Sequence, residues 1–246
     1  MFLAEPPPSQ ADLHFRVFGI PVRVHPWFWI VALLLGISGS GPADPLATLE
    51  WVGVVFFSIL IHELGHASLQ RRFGGSPRIT LYSLGGLASC DDCDRSPRSQ
   101  ILISIAGPMA GFLFAAALLA AIRLAGHRVE FGRIPGLIGL FLPAWEPFES
   151  PLANRLIFDL LYVNIFWGLV NLLPIYPLDG GHVARELFTL TNARRGIVQS
   201  LWLSVIAAGV MAAFGLSRNS ILVTFMFGYL AYASYQTLRA YEQHWQ

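Results

Sequence analysis

Residues 50–70, EWVGVVFFSILIHELGHASLQ, contain three ionisable side chains close together in a stretch that is otherwise mostly apolar. An α-helix of about 20 apolar residues is long enough to cross the hydrocarbon core of a bilayer, which is ~30 Å thick. A titratable group inside such a helix is energetically costly, so each one is by default a candidate functional residue. His62, Glu63 and His66 are therefore the first candidates for a site.

The composition of the 246-residue chain is that of a membrane protein. Hydrophobic residues make up 54% of the chain and charged residues 13%, whereas soluble domains carry ~25% charged residues. This excludes soluble, disordered, collagen-like and disulfide-stapled classes. We predict an all-α polytopic membrane protein with about six transmembrane helices and a short re-entrant or interfacial β segment near the site. The chain forms one domain, 1–246, with an N-terminal cytoplasmic or interfacial segment, 1–26, and spans at about 27–40, 50–70, 100–123, 155–173, 197–216 and 220–237.

Two further segments are apolar but do not fit a span. FRVFGIPVRVH, residues 15–25, has the mixed β-branched pattern of a short interfacial strand. The stretch from Ile134 to Trp145 is only 12 residues long and contains prolines, so it is expected to be interfacial or re-entrant.

The charged residues predict the orientation in the membrane. The net charge is +1, all 16 basic residues are arginine, and no basic surface indicates nucleic acid. Most of the arginines lie in cytoplasmic loops if the N-terminus is cytoplasmic, as the positive-inside rule requires. We therefore expect a multi-pass protein of the cell (inner) membrane with both termini in the cytoplasm.

The string HELGH has the spacing of a metal site. Residues i and i+4 lie on one face of a helix, so His62 and His66 can present two imidazoles to one ion. Glu63 then lies beside a metal-bound water, which is the HExxH arrangement of zinc metalloproteases. A catalytic zinc also needs a third protein ligand. Asp179 is a better candidate than Glu50 or Asp159.

Asp179 lies in NLLPIYPLDGGH, residues 171–182, just after the fourth predicted span. Pro174 and Pro177 cannot continue a helix, and the glycine pair Gly180–Gly181 permits backbone angles closed to other residues. Broken backbone at membrane depth is tolerated only where it lines a protein cavity or polar site. In the predicted orientation, His66 and Asp179 both lie near the cytoplasmic side, so the candidates meet at similar depth.

HELGH together with NLLPIYPLDGG resembles the site-2 protease family of intramembrane zinc metalloproteases. FGIPVRVHPWF, LYSLGGLA and AGPMAGF also resemble that family, which extends the similarity over most of the chain. The resemblance implies one Zn²⁺ per chain, bound by His62, His66 and Asp179, with Glu63 as catalytic acid and base. It also implies transmembrane protein or peptide substrates within the lipid bilayer. The chain departs from the family at Gly111, where many relatives carry asparagine, and we expect no inserted PDZ or appended CBS domain in it.

Three further residues are candidates for substrate binding. Asn171 can hydrogen-bond the substrate backbone or the oxyanion, but it can equally serve helix packing. Gly85 and Gly86 lie in RITLYSLGGLA, residues 78–88, which predicts a strand pair whose free edge could bind an unwound substrate by strand addition. An ordinary hairpin is the alternative.

The roles of four other polar residues stay open. Asn164 is expected to link helices, and His182 either supports the metal site or is a plain interfacial histidine. Cys90 and Cys93 form a CxxC that fits half a zinc site or a redox switch, although a simple surface loop is the favoured interpretation.

The alternative function is a non-proteolytic zinc-binding scaffold or a transporter. A transporter would have polar residues along several spans, whereas here the candidates cluster at one depth.

Overall fold

The computed structural model describes residues 5–40, 44–83, 85–133 and 141–243. Within these ranges the chain forms seven helices and six strands. The helices are α1 Pro26–Ser40, α2 Pro45–Arg72, α3 Pro97–Leu124, α4 Pro151–Asn171, α5 Asp179–Thr189, α6 Ala193–Ser217 and α7 Ile221–Gln243. The strands are β1 Leu13–Val17, β2 Ile20–Val24, β3 Arg78–Tyr82, β4 Gly85–Ser89, β5 Val129–Arg133 and β6 Phe141–Trp145.

The starts of the long helices follow a simple sequence rule. Helices α2, α3 and α4 each begin with a proline that follows a capping residue: Asp44, Ser96 or Ser150. Each capping side chain accepts a hydrogen bond from a backbone N–H in the first turn. Proline suits this position because its missing N–H would have no partner there anyway.

In the part of the chain that the structure describes, four helices are long and apolar enough to cross a membrane: α2, α3, α4 and α6. The prediction of a mainly helical membrane protein is therefore confirmed, but the count of six spans is not. Helix α1 has 15 residues, about 22 Å of helix, which is shorter than the ~30 Å hydrocarbon core. Helix α7 has 23 residues but contains four tyrosines, and it is not among the four.

A four-stranded sheet covers one end of the helices in the order β1-β2-β3-β4. Strands β2 and β3 are parallel and are connected through α1 and α2, whereas the other two pairs are antiparallel hairpins. The buried face of the sheet carries Val22, Val24, Ile79 and Leu81, which pack with Phe28 and other residues of α1 and α2. The sheet is thereby attached to the helix that contains HELGH.

The segment FRVFGIPVRVH forms a hairpin, so the prediction of one strand was wrong. Phe18 and Gly19 both have positive φ, 50° and 81°, and they form a tight turn between β1 and β2. Two consecutive positive φ values suit the right-handed twist of a two-residue hairpin. A phenylalanine at such a position is unusual, so the turn could not be predicted from the residue types.

The predicted interfacial segment from Ile134 to Trp145 is only partly described, because residues 134–140 lie outside the described ranges. Its last five residues form β6, which pairs with β5 in a separate hairpin between α3 and α4.

Candidate active site

Helix α2 brings the two histidines of HELGH together. His62 and His66 are both buried, and their Nε2 atoms are 3.1 Å apart. The i, i+4 spacing puts the rings on one helical face, as the sequence predicted.

Asp179 reaches the same place through a break in the chain. Helix α4 ends at Asn171 and α5 begins at Asp179, so the residues between them leave the helix as the prolines predicted. The glycine pair has a different role from the expected one, because neither residue has a positive φ. A Cβ on Gly180 would overlap the backbone at Leu172 and Leu173, and one on Gly181 would overlap the backbone at Ile175. The glycines therefore allow close packing of α5 on the preceding turn.

The three side chains converge on one point. Asp179 Oδ2 lies 3.1 Å from His62 Nε2, and Asp179 Oδ1 lies 3.3 Å from His66 Nε2. Two ligand atoms bound at about 2.0–2.1 Å in a tetrahedral zinc site are ~3.3 Å apart. Two imidazole nitrogens and a carboxylate are also a donor set that zinc accepts. Both the spacing and the chemistry of these residues fit a zinc ion.

Helix α3 forms the wall behind the histidines. His66 Nδ1 lies 2.7 Å from the carbonyl oxygen of Ile103, so we assign the proton to Nδ1, which leaves the Nε2 lone pair directed at the site. A Cβ on Gly107 would overlap both imidazoles, and one on Gly65 would overlap the backbone of Ala106. Gly111 likewise lies close to Asn164, with a Cβ position 3.2 Å from the Asn164 carbonyl oxygen, so both glycines of the GPMAG segment allow close helix packing.

Strand β4 lies against Glu63. The Glu63 side chain is buried, and a Cβ on Gly86 would overlap its carboxylate end. Gly85 differs, because a Cβ there would lie 3.5 Å from the Trp167 ring, an ordinary contact. Of the two glycines predicted to bind substrate, only Gly86 adjoins the candidate catalytic residue.

The other predicted polar residues have separate partners. Asn171 Nδ2 donates to the carbonyl oxygen of Trp167 within α4, at 2.9 Å. Asn164 Nδ2 donates to Ser58 Oγ of α2, also at 2.9 Å, so its predicted link between helices is confirmed. The His182 ring packs against Tyr176, with centroids 5.4 Å apart. Among the described residues, the group formed by His62, His66 and Asp179 does not include His182.

Sequence reasoning missed Gln70. It is buried in the last turn of α2, and its Nε2 donates to the carbonyl oxygen of Ala88 in β4, at 2.9 Å. This bond ties the strand to the helix one turn beyond His66. The spacing of residues 62, 66 and 70 could have indicated Gln70 from the sequence. A polar residue four positions after two candidate ligands lies on the same helical face and therefore adjoins the same site.

Comparisons with known proteins indicate which proteins the chain is similar to. The model of peptidase family M50 matches residues 51–133 and 124–213. A zinc metalloprotease of Methanocaldococcus jannaschii is 26% identical over 219 residues, 85% of this chain and 55% of the relative. Rip3 of Mycobacterium tuberculosis is 34% identical over 183 residues, 69% of this chain and 42% of the relative. The chain thus spans about half the length of these curated relatives.

A solved structure supports the fold. The site-2 protease from Methanocaldococcus jannaschii superimposes with a TM-score of 0.61 at 23% identity, covering 92% of this chain and 95% of that one. The family match covers more than half of the chain and contains HELGH and Asp179. The sequence resemblance to site-2 proteases is confirmed, and the chain belongs to peptidase family M50.

Proposed function

We propose that this chain is an intramembrane zinc endopeptidase that hydrolyses peptide bonds in or near transmembrane segments of membrane proteins. One observation carries the proposal: two imidazole nitrogens of the apolar helix α2 and the carboxylate of Asp179 at the start of α5 converge, and Glu63, next to His62 in α2, is buried. Buried polar groups of this kind are costly in a membrane and are retained for function. The names of the relatives, which are zinc metalloproteases, support the same conclusion.

His62, His66 and Asp179 would hold one zinc ion per chain. When bound, zinc supplies Lewis acidity, which polarises a carbonyl and acidifies a coordinated water. Glu63 accepts the proton of the attacking water and delivers it to the leaving amine. Ile103 fixes the tautomer of His66, and Gly107 leaves room for both rings, so the chain orients its ligands before substrate arrives.

We propose that strand β4 positions the substrate. A peptide bond in a helix is shielded by its own hydrogen bonds, so it must be extended before water can attack. Within the described ranges, β4 is an edge strand whose second side pairs with no other strand. A substrate segment added there would be brought alongside Gly86 and Glu63, with Gly85 and Asn171 contacting it further along.

The proposed location is the inner membrane, with both termini cytoplasmic and the site near the cytoplasmic side. Pairing of β2 with β3 puts the N-terminal hairpin beside the strand that follows HELGH, which supports one part of this proposal, namely that the N-terminus and the site lie on the same side. The N-terminal segment and the C-terminal end of α2 are therefore at the same level.

The test is cleavage of a panel of single-span reporter proteins by the full chain in lipid vesicles. We expect fragments with the wild type and with Glu130→Gln, an exposed carboxylate of β5, and none with Glu63→Gln. Zinc content should be equal in all three, because Glu63 is not a proposed ligand.

The non-proteolytic alternative predicts a different pattern. A folded, zinc-loaded wild type that cleaves no reporter, or a Glu63→Gln variant that cleaves as well as the wild type, would count against the peptidase. Zinc uptake without cleavage would favour a scaffold.

A further inference from the structure

The two cysteines lie directly after the strand that adjoins Glu63. Strand β4 ends at Ser89, and Cys90 and Cys93 in the following loop are joined by a disulfide. These are the only cysteines of the chain. The pair is separate from the group formed by His62, His66 and Asp179.

The loop packs closely against the end of α2. Cys93 Sγ lies 3.6 Å from the carbonyl oxygen of Gln70, and a Cβ on Gly75 would overlap both sulfur atoms. The Gln70 carbonyl also accepts a hydrogen bond from the Gly75 N–H, at 3.1 Å. The cysteine pair, in the loop after β4, therefore packs directly against the end of α2 and the turn that follows it.

Gln70 connects this pair to the candidate site. Its side chain donates to Ala88 in β4, and two residues earlier Gly86 lies against Glu63. Gln70 is also one helical turn from His66. A change in the cysteine loop can therefore reach β4, the strand beside Glu63, through Gln70. Cys93 contacts the Gln70 carbonyl oxygen, and the Gln70 side chain binds Ala88 of β4.

Each cysteine also has a hydrogen-bond acceptor for its reduced form. Cys90 Sγ is 3.2 Å from Asp92 Oδ1, and Cys93 Sγ is 3.6 Å from Gln70 O, distances at which an S–H can donate. The backbone N–H of Ser76 binds Asp92 and lowers the pKa of its carboxyl group, so the acceptor is ionised at neutral pH. After reduction of the bridge, an S–H at either position would therefore have an acceptor within reach.

We propose that Cys90 and Cys93 are a reversible thiol–disulfide site, oxidised by small-molecule disulfides, that controls the mobility of β4 beside Glu63. A thiolate of the pair attacks the small disulfide and releases one small thiol. The second cysteine then attacks the mixed disulfide and releases the other, so two protein thiols and one small disulfide yield the bridge and two small thiols. The consequence for catalysis rests on the proposed function.

The direction of the effect follows from the position of β4. Gly86 closely abuts Glu63 in the bridged state, and a substrate strand added at β4 must fit beside that carboxylate. The bridge restricts the loop that follows β4, so oxidation should slow cleavage. In the proposed orientation the loop is cytoplasmic, where thiols are kept reduced, and the enzyme would be in its faster state.

Bridge formation is measured without reference to cleavage. The zinc-loaded full chain in lipid vesicles is equilibrated in mixtures of reduced and oxidised glutathione, a linear small disulfide, and its free thiols are counted by alkylation and intact mass. We expect two reactive thiols under reducing conditions, and none, with no dimer, after oxidation. Failure of the bridge to form, or to be reduced, overturns the proposal.

Coupling to β4 is measured by deuterium exchange at Gly85–Ser89 and by reporter cleavage. We expect slower exchange and cleavage slowed about fivefold in the bridged form, which corresponds to about 1 kcal/mol in the activation barrier. Cys90→Ser and Cys93→Ser should exchange and cleave like the reduced wild type under both conditions. Equal exchange and equal cleavage in the two wild-type states overturns the coupling.

Two other outcomes distinguish this proposal from the proposed function and from a second metal site. Absence of cleavage in both states counts against the proposed function, while the exchange at β4 still decides the coupling. A reduced chain with one zinc more than Cys90→Ser would make Cys90, Asp92 and Cys93 a metal site and overturn the thiol–disulfide proposal.

Discussion

The two ends of helix α2 both hold buried ionisable groups, but they balance charge differently. Near its N-terminus, Glu50 Oε2 accepts a hydrogen bond from Arg155 of α4 at 2.7 Å, and the same arginine donates to Asp44 at 3.0 Å. Near its C-terminal end, two imidazoles and a carboxylate converge and present lone pairs to one another. A fixed cation makes the first cluster a structural link between helices, whereas the second offers the coordination that a metal cation requires.

Removal of Asp179 should have the largest effect. Asp179→Asn replaces the one carboxylate of the converging group, so zinc affinity should fall by at least ~100-fold. Loss of a residue that only supports a metal ligand already lowers metal affinity by up to about 100-fold. Zinc retained by the purified protein against a competing chelator measures this. Arg155→Met is the control from the other end of α2 and should retain zinc; equal retention in both variants would remove the distinction between the two ends.

Gly107→Ala should have the next largest effect. The added methyl group overlaps both imidazoles, and displacement of reacting groups by ~1 Å can reduce a rate by about 100-fold. We expect loss of reporter cleavage with weaker zinc binding. Gly209→Ala in α6 is the matched control, because no atom lies within 4 Å of its Cβ position. A Gly107→Ala enzyme as active as this control would show that α3 does not support the histidines.

Arg155→Met should affect stability without affecting zinc. It leaves the Glu50 side chain, which is only 8% exposed, without its cation, so the protein should unfold at a lower temperature than the wild type. A thermal unfolding scan in detergent measures it. The double variant Arg155→Met/Glu50→Gln should recover part of the loss, and a single variant that loses zinc at unchanged stability would contradict a structural role.

Ser58→Ala, midway between the two clusters, should have the smallest effect. It removes the hydrogen bond to Asn164, but Asn164 Nδ2 keeps the Leu160 carbonyl as a partner. Hydrogen bonds between membrane helices contribute ~0.6 kcal/mol on average. Unfolding and cleavage should both stay close to wild type; a large loss of cleavage would extend the candidate site along α2.

The sequence was most informative where polar side chains occur within an apolar segment. His62, Glu63 and His66 stand out because they are polar within an apolar run, and two prolines indicate the chain break before Asp179. The geometry brings His62, His66 and Asp179 together, while their assignment as zinc ligands stays a prediction. The long spans were likewise evident from hydrophobicity, except that α1 and α7 do not meet the length and apolarity of the other four.

Features that depend on contacts distant in sequence were not predictable from local pattern. Gly180 and Gly181 are required because α5 packs closely against the preceding turn. The conformational preferences of glycine do not reveal such a contact. The role of Gln70 depends on Ala88, and the turn at Phe18 is set by the pairing of β1 with β2. Helix α5 was missed because it is short and half-buried, so it has no long apolar run.

The parallel pairing of β2 with β3 has a consequence for biosynthesis. Strand β2 is complete at residue 24, but its partner begins only at residue 78, after the whole of α1 and α2 has been made. Parallel strands always need a long connection, and here that connection includes a helix that must enter the membrane. The N-terminal hairpin therefore keeps one edge unpaired until α2 and β3 have been synthesised. Strand β4, which adjoins Glu63, also follows α2 in the chain, so the four-stranded sheet can be completed only after the HELGH helix has been made.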